Sequence, residues 1–198
     1  MASTLDPSFE VTTVKPHDPN VPGGGWQWRG ARRFQATMPV SGMIQYVYGI
    51  NKNQVINAPA WAFKDVYDYA GVPNMPGLPT EHQRINMMRK LLEERFNLKV
   101  HTEKRELASF VLSPAKAGSK LISSVLVNEP GCTISLRQGA SGGLVLQARN
   151  TAMGDFIRFL HSIQDRPVID QTGLTGQFDF DLTFVPDDSM FGGDMRLP

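Results

Sequence analysis

Two stretches of this chain carry the same order of elements at a nearly constant spacing, and that repetition limits the fold more than any other feature of the sequence. The first is Phe34-Gln35-Ala36, a helical pattern with Ile44 and Val47, then Val55-Ile56, Trp61 and Val66-Tyr67-Asp68-Tyr69. The second is Leu146-Gln147-Ala148, a helical pattern with Phe156 and Phe159, then Val168-Ile169, Leu174 and Gln177-Phe178-Asp179-Phe180. Corresponding residues lie 111 to 113 positions apart. Each unit reads strand, helix, strand, turn, strand. Within Tyr-Asp-Tyr and Phe-Asp-Phe, strand alternation places the aspartate on the opposite face from the aromatics. Short hairpins between the elements favour α+β over a doubly wound parallel sheet. The expected fold is therefore α+β, with two similar β-α-β-β units forming an internal pseudo-repeat and added antiparallel hairpins. The halves are two small lobes or one pseudo-symmetric sheet. We expect a single domain over residues 1–198 with lobes at about 9–105 and 106–186, and a flexible Asp- and Gly-rich tail over 187–198.

Local patterns fill in the rest. Phe9 to Val14 is rich in β-branched residues and reads as a strand. Trp26 to Arg29 and Arg33 to Thr37 alternate around Gly30 as a hairpin. Pro39 to Tyr48 is helical, with Gly49 as its stop. Gln54 to Ile56 reads as a short strand, and Asp65 to Gly71 as another. Thr80 to Phe96 is the strongest helix. Thr80 and Gln83 fit a capping box, and Ile85, Met88, Leu92 and Phe96 form an apolar stripe widened by Met87 and Leu91. Leu98 to Thr102 and Leu107 to Ser113 read as an antiparallel pair across a charged turn. Cys132 to Arg137 and Leu144 to Arg149 read as a second pair. A helix from about Thr151 to Ile163, capped by Asn150 or Thr151, precedes strands at Pro167 to Ile169 and Gln177 to Val185.

Composition narrows the class. The 198 residues include 20 Lys and Arg and 19 Asp and Glu, for a net charge of +1. Apolar residues and glycine together make up about half of the chain, the usual globular share. That balance argues against a disordered chain and against a strongly basic nucleic-acid binder. Residues 1–105 carry net charge +4 and residues 106–198 carry −3, which sum to +1. No apolar run is long enough for a transmembrane helix. The N-terminus lacks the basic and apolar regions of a signal peptide, so an exported form would have lost its signal and gained Met1. The single cysteine, Cys132, has no CxxC partner and reads as a small packed side chain rather than a reactive thiol.

Several ordered blocks resemble one family. They are Phe9-Glu10-Val11-Thr12-Thr13-Val14-Lys15-Pro16; Met43-Ile44 to Tyr48-Gly49 with Gln54-Val55 and Ala58-Pro59-Ala60-Trp61; and Leu91-Leu92-Glu93-Glu94-Arg95-Phe96 with Lys99-Val100-His101 and Glu103 to Leu107. Arg166-Pro167-Val168-Ile169-Asp170, Thr172-Gly173-Leu174-Thr175-Gly176 and Phe178-Asp179-Phe180 close the set. Over Phe9 to about Pro186 the chain resembles the large soil-associated bacterial protein family of unknown function. The resemblance implies export, a secreted or periplasmic location with the signal peptide removed, and kinship with domains attached to antibiotic-sensing-type membrane metallopeptidases. The helix-strand units are more loosely similar to the short N-terminal domain of secretins and TonB-dependent receptors, a fold-level analogy.

Candidate chemistry is sparse. Trp26, Trp28, Arg29, Arg32 and Arg33 interleave aromatics with positive charge, and with Trp61 they are the candidate ligand-binding residues; alternation equally makes Trp26 and Trp28 core residues. Gly139-Ala140-Ser141-Gly142-Gly143 fits G-x-S-x-G, which makes Ser141 a candidate nucleophile, yet a strand follows it where a nucleophile elbow needs a helix. Asp179 and Asp181 share one strand face and are candidate cation ligands, without the spacing of an EF-hand. His17, His82, His101 and His161 show no metal-ligand spacing, and His161 near a helix C-terminus suits the dipole. No P-loop or dinucleotide fingerprint is present.

The sequence therefore leads to a non-enzymatic, exported binding or interaction module, without cofactor. Its partner is a protein or small-molecule ligand, with no nucleic acid and no membrane span, and homo-oligomers are allowed. Two alternatives stand beside it. One is a self-assembling extracellular structural protein joined through strand edges. The other is a hydrolase using Ser141 with a His and Asp assembled by the fold.

Overall fold

A computed structural model describes residues 6–23, 25–29, 33–77, 79–125, 133–139 and 142–193, without the side chains of Trp26, Trp28 and Arg29. The chain is mixed α+β and divides into two compact units. The first comprises Met1–Tyr48 and Val55–Arg105; the second comprises Gly49–Gln54 and Glu106–Leu197. A six-residue piece from the middle of the N-terminal half thus belongs with the C-terminal half, which the sequence pattern does not announce.

The first unit is a four-stranded antiparallel sheet with helices on one face. Strands β1 (Phe9–Pro16), β2 (Gly25–Arg29), β3 (Arg33–Pro39) and β4 (Val66–Pro73) lie in the order β1-β4-β3-β2. Helix α1 (Val40–Tyr48) follows β3 directly, and Gly49 stops it with φ 63°, a conformation that costs glycine little. A one-turn helix, α2 (Trp61–Lys64), precedes β4. Helix α3 (Glu81–Phe96) begins with the expected capping box. The Thr80 side chain accepts the Gln83 amide, and the Gln83 side chain accepts the Thr80 amide. Its stripe of Ile85, Met87, Met88, Leu91 and Leu92 is buried with Phe34, Met43, Val47 and Tyr69.

The second unit holds a four-stranded sheet of its own. Strands β6 (Ile122–Ser123), β7 (Thr133–Gln138), β8 (Leu144–Ala152) and β10 (Gln177–Phe184) lie as β6-β10-β8-β7, all antiparallel. Helix α4 (Met153–Ile163) packs Met153 and Phe156 against Leu146, Ala148 and Phe178. The Phe156 and Phe180 rings meet edge to face at 5.1 Å.

Three expectations fail for identifiable reasons. Residues 98–109 form no strand, and β5 (Phe110–Leu112) pairs in parallel with β9 (Val168–Asp170). An alternating run shows that a strand exists but not which neighbour it will take. Gln54 to Ile56 is not a strand, because Lys52–Gln54 form a 3-10 turn around buried Asn51. Neither Asn150 nor Thr151 caps α4. Both are absorbed into β8, Asn150 with φ 51°, and Ala152 takes the cap position with no side-chain bond. Beyond β10, Asp187 accepts the Ser189 amide and hydroxyl, and Met190 is buried in a 3-10 turn over Met190–Gly193.

Candidate functional site

Strand β4 organises the two most developed clusters of the first unit, because its alternation sends Tyr67 and Tyr69 to one face and Asp68 to the other. On the helix face, Phe96 is the hub. Its ring lies 5.3 Å from Tyr67 edge to face, 6.3 Å from Tyr69, and 6.1 Å from Trp61 in a stacked arrangement. Tyr69 is 1% exposed and its hydroxyl has no hydrogen-bond partner among the described residues. Burial first, and neighbouring Tyr67 second, push its ionisation well above the ordinary tyrosine range. Trp61 closes the cluster at the surface and stays 41% exposed, with Phe63 of the same short helix 39% exposed. Past the end of α3, Glu93, Asn97, Leu98, Lys99 and Val100 line a shallow depression of about 440 Å³.

On the opposite face, Asp68 collects two donors. His17 Nδ1 lies 2.9 Å from its Oδ1, and the Thr37 hydroxyl donates to the same oxygen at 2.8 Å. Lys15 sits opposite Asp68 in the β1–β4 register. The Thr37 hydrogen bond is the largest cause holding the Asp68 carboxyl below its usual range, ahead of the His17 bond and the charges of His17 and Lys15. Gly23 lies against the imidazole so closely that a Cβ there would sit 2.6 Å from His17 Cε1. The fold therefore does assemble a histidine with a carboxylate. Residues 51 apart in sequence form the pair, and only the β4 register with the turn after β1 reveals it.

The remaining candidates fall as follows. The register sets Trp26 opposite Ala36, Trp28 opposite Phe34 and Arg29 opposite Arg33, while their side chains lie outside the described residues. Arg32, Ser141 and Cys132 also lie outside them. Arg33 is exposed at the start of β3. Asp179 accepts the Asn150 amide at 2.7 Å, and Asp181 pairs with Arg149 at 2.6 Å, so each carboxylate already has a protein donor. Among the described residues no three His, Cys, Asp or Glu side chains gather as a metal site. His82 is exposed in the first turn of α3, and His101 is exposed in a stretch without strand structure, not on the alternating strand its sequence suggests. His161 is buried, with its ring nitrogens 2.9 Å from the Gly49 oxygen and 3.1 Å from the Val168 oxygen.

Fold and site together define an α+β protein of two sheet-and-helix units whose first unit presents anchored aromatics at its surface. The chain belongs to the DUF3738 family of proteins of unknown function, whose model matches residues 41–195. Comparison with curated proteins and with solved structures gave no match. Among the described residues no helix is long and apolar enough to cross a membrane.

Proposed function

We propose that this chain is an exported, non-enzymatic binding or interaction module of the bacterial envelope or extracellular space. The observation that carries this reading is the aromatic pair Trp61 and Phe63, 41% and 39% exposed on a single-turn helix, with Trp61 stacked on Phe96. A large aromatic held in place before a partner arrives loses little conformational freedom on binding, and such residues dominate interface energies. Export rests on the resemblance to the soil-associated family. The reading of two similar β-α-β-β units is supported by the two four-stranded sheets, whose own strands, counted in chain order, lie first-fourth-third-second in each.

The test places a photo-crosslinking phenylalanine analogue at Phe63 in cells that make the protein. The expected result is a discrete adduct in the envelope or medium fraction, lost when Trp61→Ala is added. An adduct insensitive to Trp61→Ala, or one confined to the cytoplasm, would count against the proposal.

A further inference from the structure

The two four-stranded sheets are finished differently at the same position. In the first, β1 covers β4 from Phe9 opposite Pro73 to Pro16 opposite Tyr67. In the second, β6 has two residues and pairs only with Phe178 and Asp179. Among the described residues, no strand flanks the outer side of β10 from Phe180 to Phe184. An edge of that kind presents main-chain donors and acceptors to any extended chain. The apolar layer is unfinished there too. Leu182 stands opposite Leu146, which is 0% exposed, yet Leu182 itself is 43% exposed. Ile122, opposite Asp179 on the other face, is 70% exposed, and Val185 just past the strand is 81% exposed.

Strand β1 shows the chemistry that completes such a sheet. It sets Val14 opposite Tyr69, which is 1% exposed, and Lys15 opposite Asp68 on the other face. The open part of β10 offers the same alternation, Leu182 toward the core layer and Asp181 away from it. The Asp181 side chain remains 48% exposed beside Arg149, and Asp187 and Asp188 are exposed just past the strand. A completing strand therefore needs an apolar residue opposite Leu182; a basic one opposite Asp181 adds a second cation to a carboxylate already paired with Arg149, beside the exposed Asp187 and Asp188. β1 itself is already committed to β4 along its length. We infer that the outer edge of β10, Phe180–Phe184, is a docking site for an extended segment of a partner protein, added antiparallel with alternating apolar and basic side chains. This surface is distinct from Trp61 and stands or falls without it.

The probe is a synthetic octapeptide with the β1 sequence, Phe-Glu-Val-Thr-Thr-Val-Lys-Pro, titrated into the full ¹⁵N-labelled chain. Saturable amide shifts centred on residues 180–184 are expected. Leu182→Lys weakens binding about tenfold, the worth of burying one leucine side chain. Asp181→Lys, a change at an exposed site, also weakens it, and Trp61→Ala leaves it unchanged. Shifts centred on β4 would mean that the peptide replaces β1, and would overturn the proposal. So would no shifts at millimolar peptide. Self-association of the peptide-free chain that Leu182→Lys abolishes would overturn it as well, since the edge would then be an interface between copies of this chain.

Discussion

The side-chain amide of Asn51 donates to the main-chain oxygens of His161 at 3.0 Å and Gln164 at 2.9 Å, closing the end of α4 with a residue 110 positions away. Those oxygens belong to the last turn of the helix, where carbonyls lack intrahelical partners. Asn51 is 0% exposed; its side-chain oxygen accepts the Asn53 main-chain amide, and its main-chain amide donates to the Gln54 side-chain oxygen.

Asn51→Ala leaves the buried His161 carbonyl and the part-buried Gln164 carbonyl without their donor, and the expected cost is about 2–4 kcal/mol. Amide exchange read by mass spectrometry should quicken in α4 and in residues 49–54. Trp26, Trp28 and Trp61 all fall in the first unit, so tryptophan emission should register the loss weakly.

Asp68 contributes to the acid limb of stability in the first unit. Its folded pKa is lowered, so in the window between folded and unfolded values the unfolded chain binds more protons. Its contribution is present above the unfolded value, near about pH 3.9, and is lost as pH falls through the folded value. Urea midpoints followed by tryptophan emission should drop less between pH 5 and pH 2, as rough limits, in Asp68→Asn than in the parent. Equal slopes would assign the acid sensitivity elsewhere.

Thr80→Ala should cost about 1 kcal/mol, and Thr80→Ser much less, because the serine hydroxyl keeps the cap. Combining Thr80→Ala with Gln83→Ala should cost less than the sum of the two, since both bonds of the box are shared. Urea unfolding of the four proteins measures this coupling.

Tyr69→Phe removes a buried hydroxyl that has no partner among the described residues. The ring contacts with Phe96 and Tyr67 survive, so stability should rise or stay level, by up to about 1–2 kcal/mol. A loss of similar size, read as a fall in thermal midpoint, would reveal a hydrogen bond that the hydroxyl makes.

The elements legible in the sequence are those whose signals are local. The capping box at Thr80, the stripe of α3, and the β2–β3 and β7–β8 pairs each lie within a short window, and each forms. The illegible features depend on partners chosen across the chain. Phe110–Leu112 could not announce Val168–Asp170 as its neighbour, because alternation carries no address. Asn51 carries no signal in the sequence, since a buried amide differs from an exposed one only by what surrounds it. The same holds for the site. Trp61 is legible as a candidate, but its seat on Phe96 follows from how α2 and α3 pack, and the His17–Asp68 pair from the β4 register with the turn after β1.

The placement of Gly49–Gln54 in the second unit has a consequence for how this gene can be cut. The chain crosses between its units after Tyr48, after Gln54 and after Arg105. A fragment beginning at Glu106 would fold without the asparagine that closes α4, and one ending at Arg105 would carry that asparagine with nothing to close. Recombination at the apparent midpoint therefore leaves the first unit whole and the second without a part, and on the ribosome the second half is completed by residues synthesised long before it.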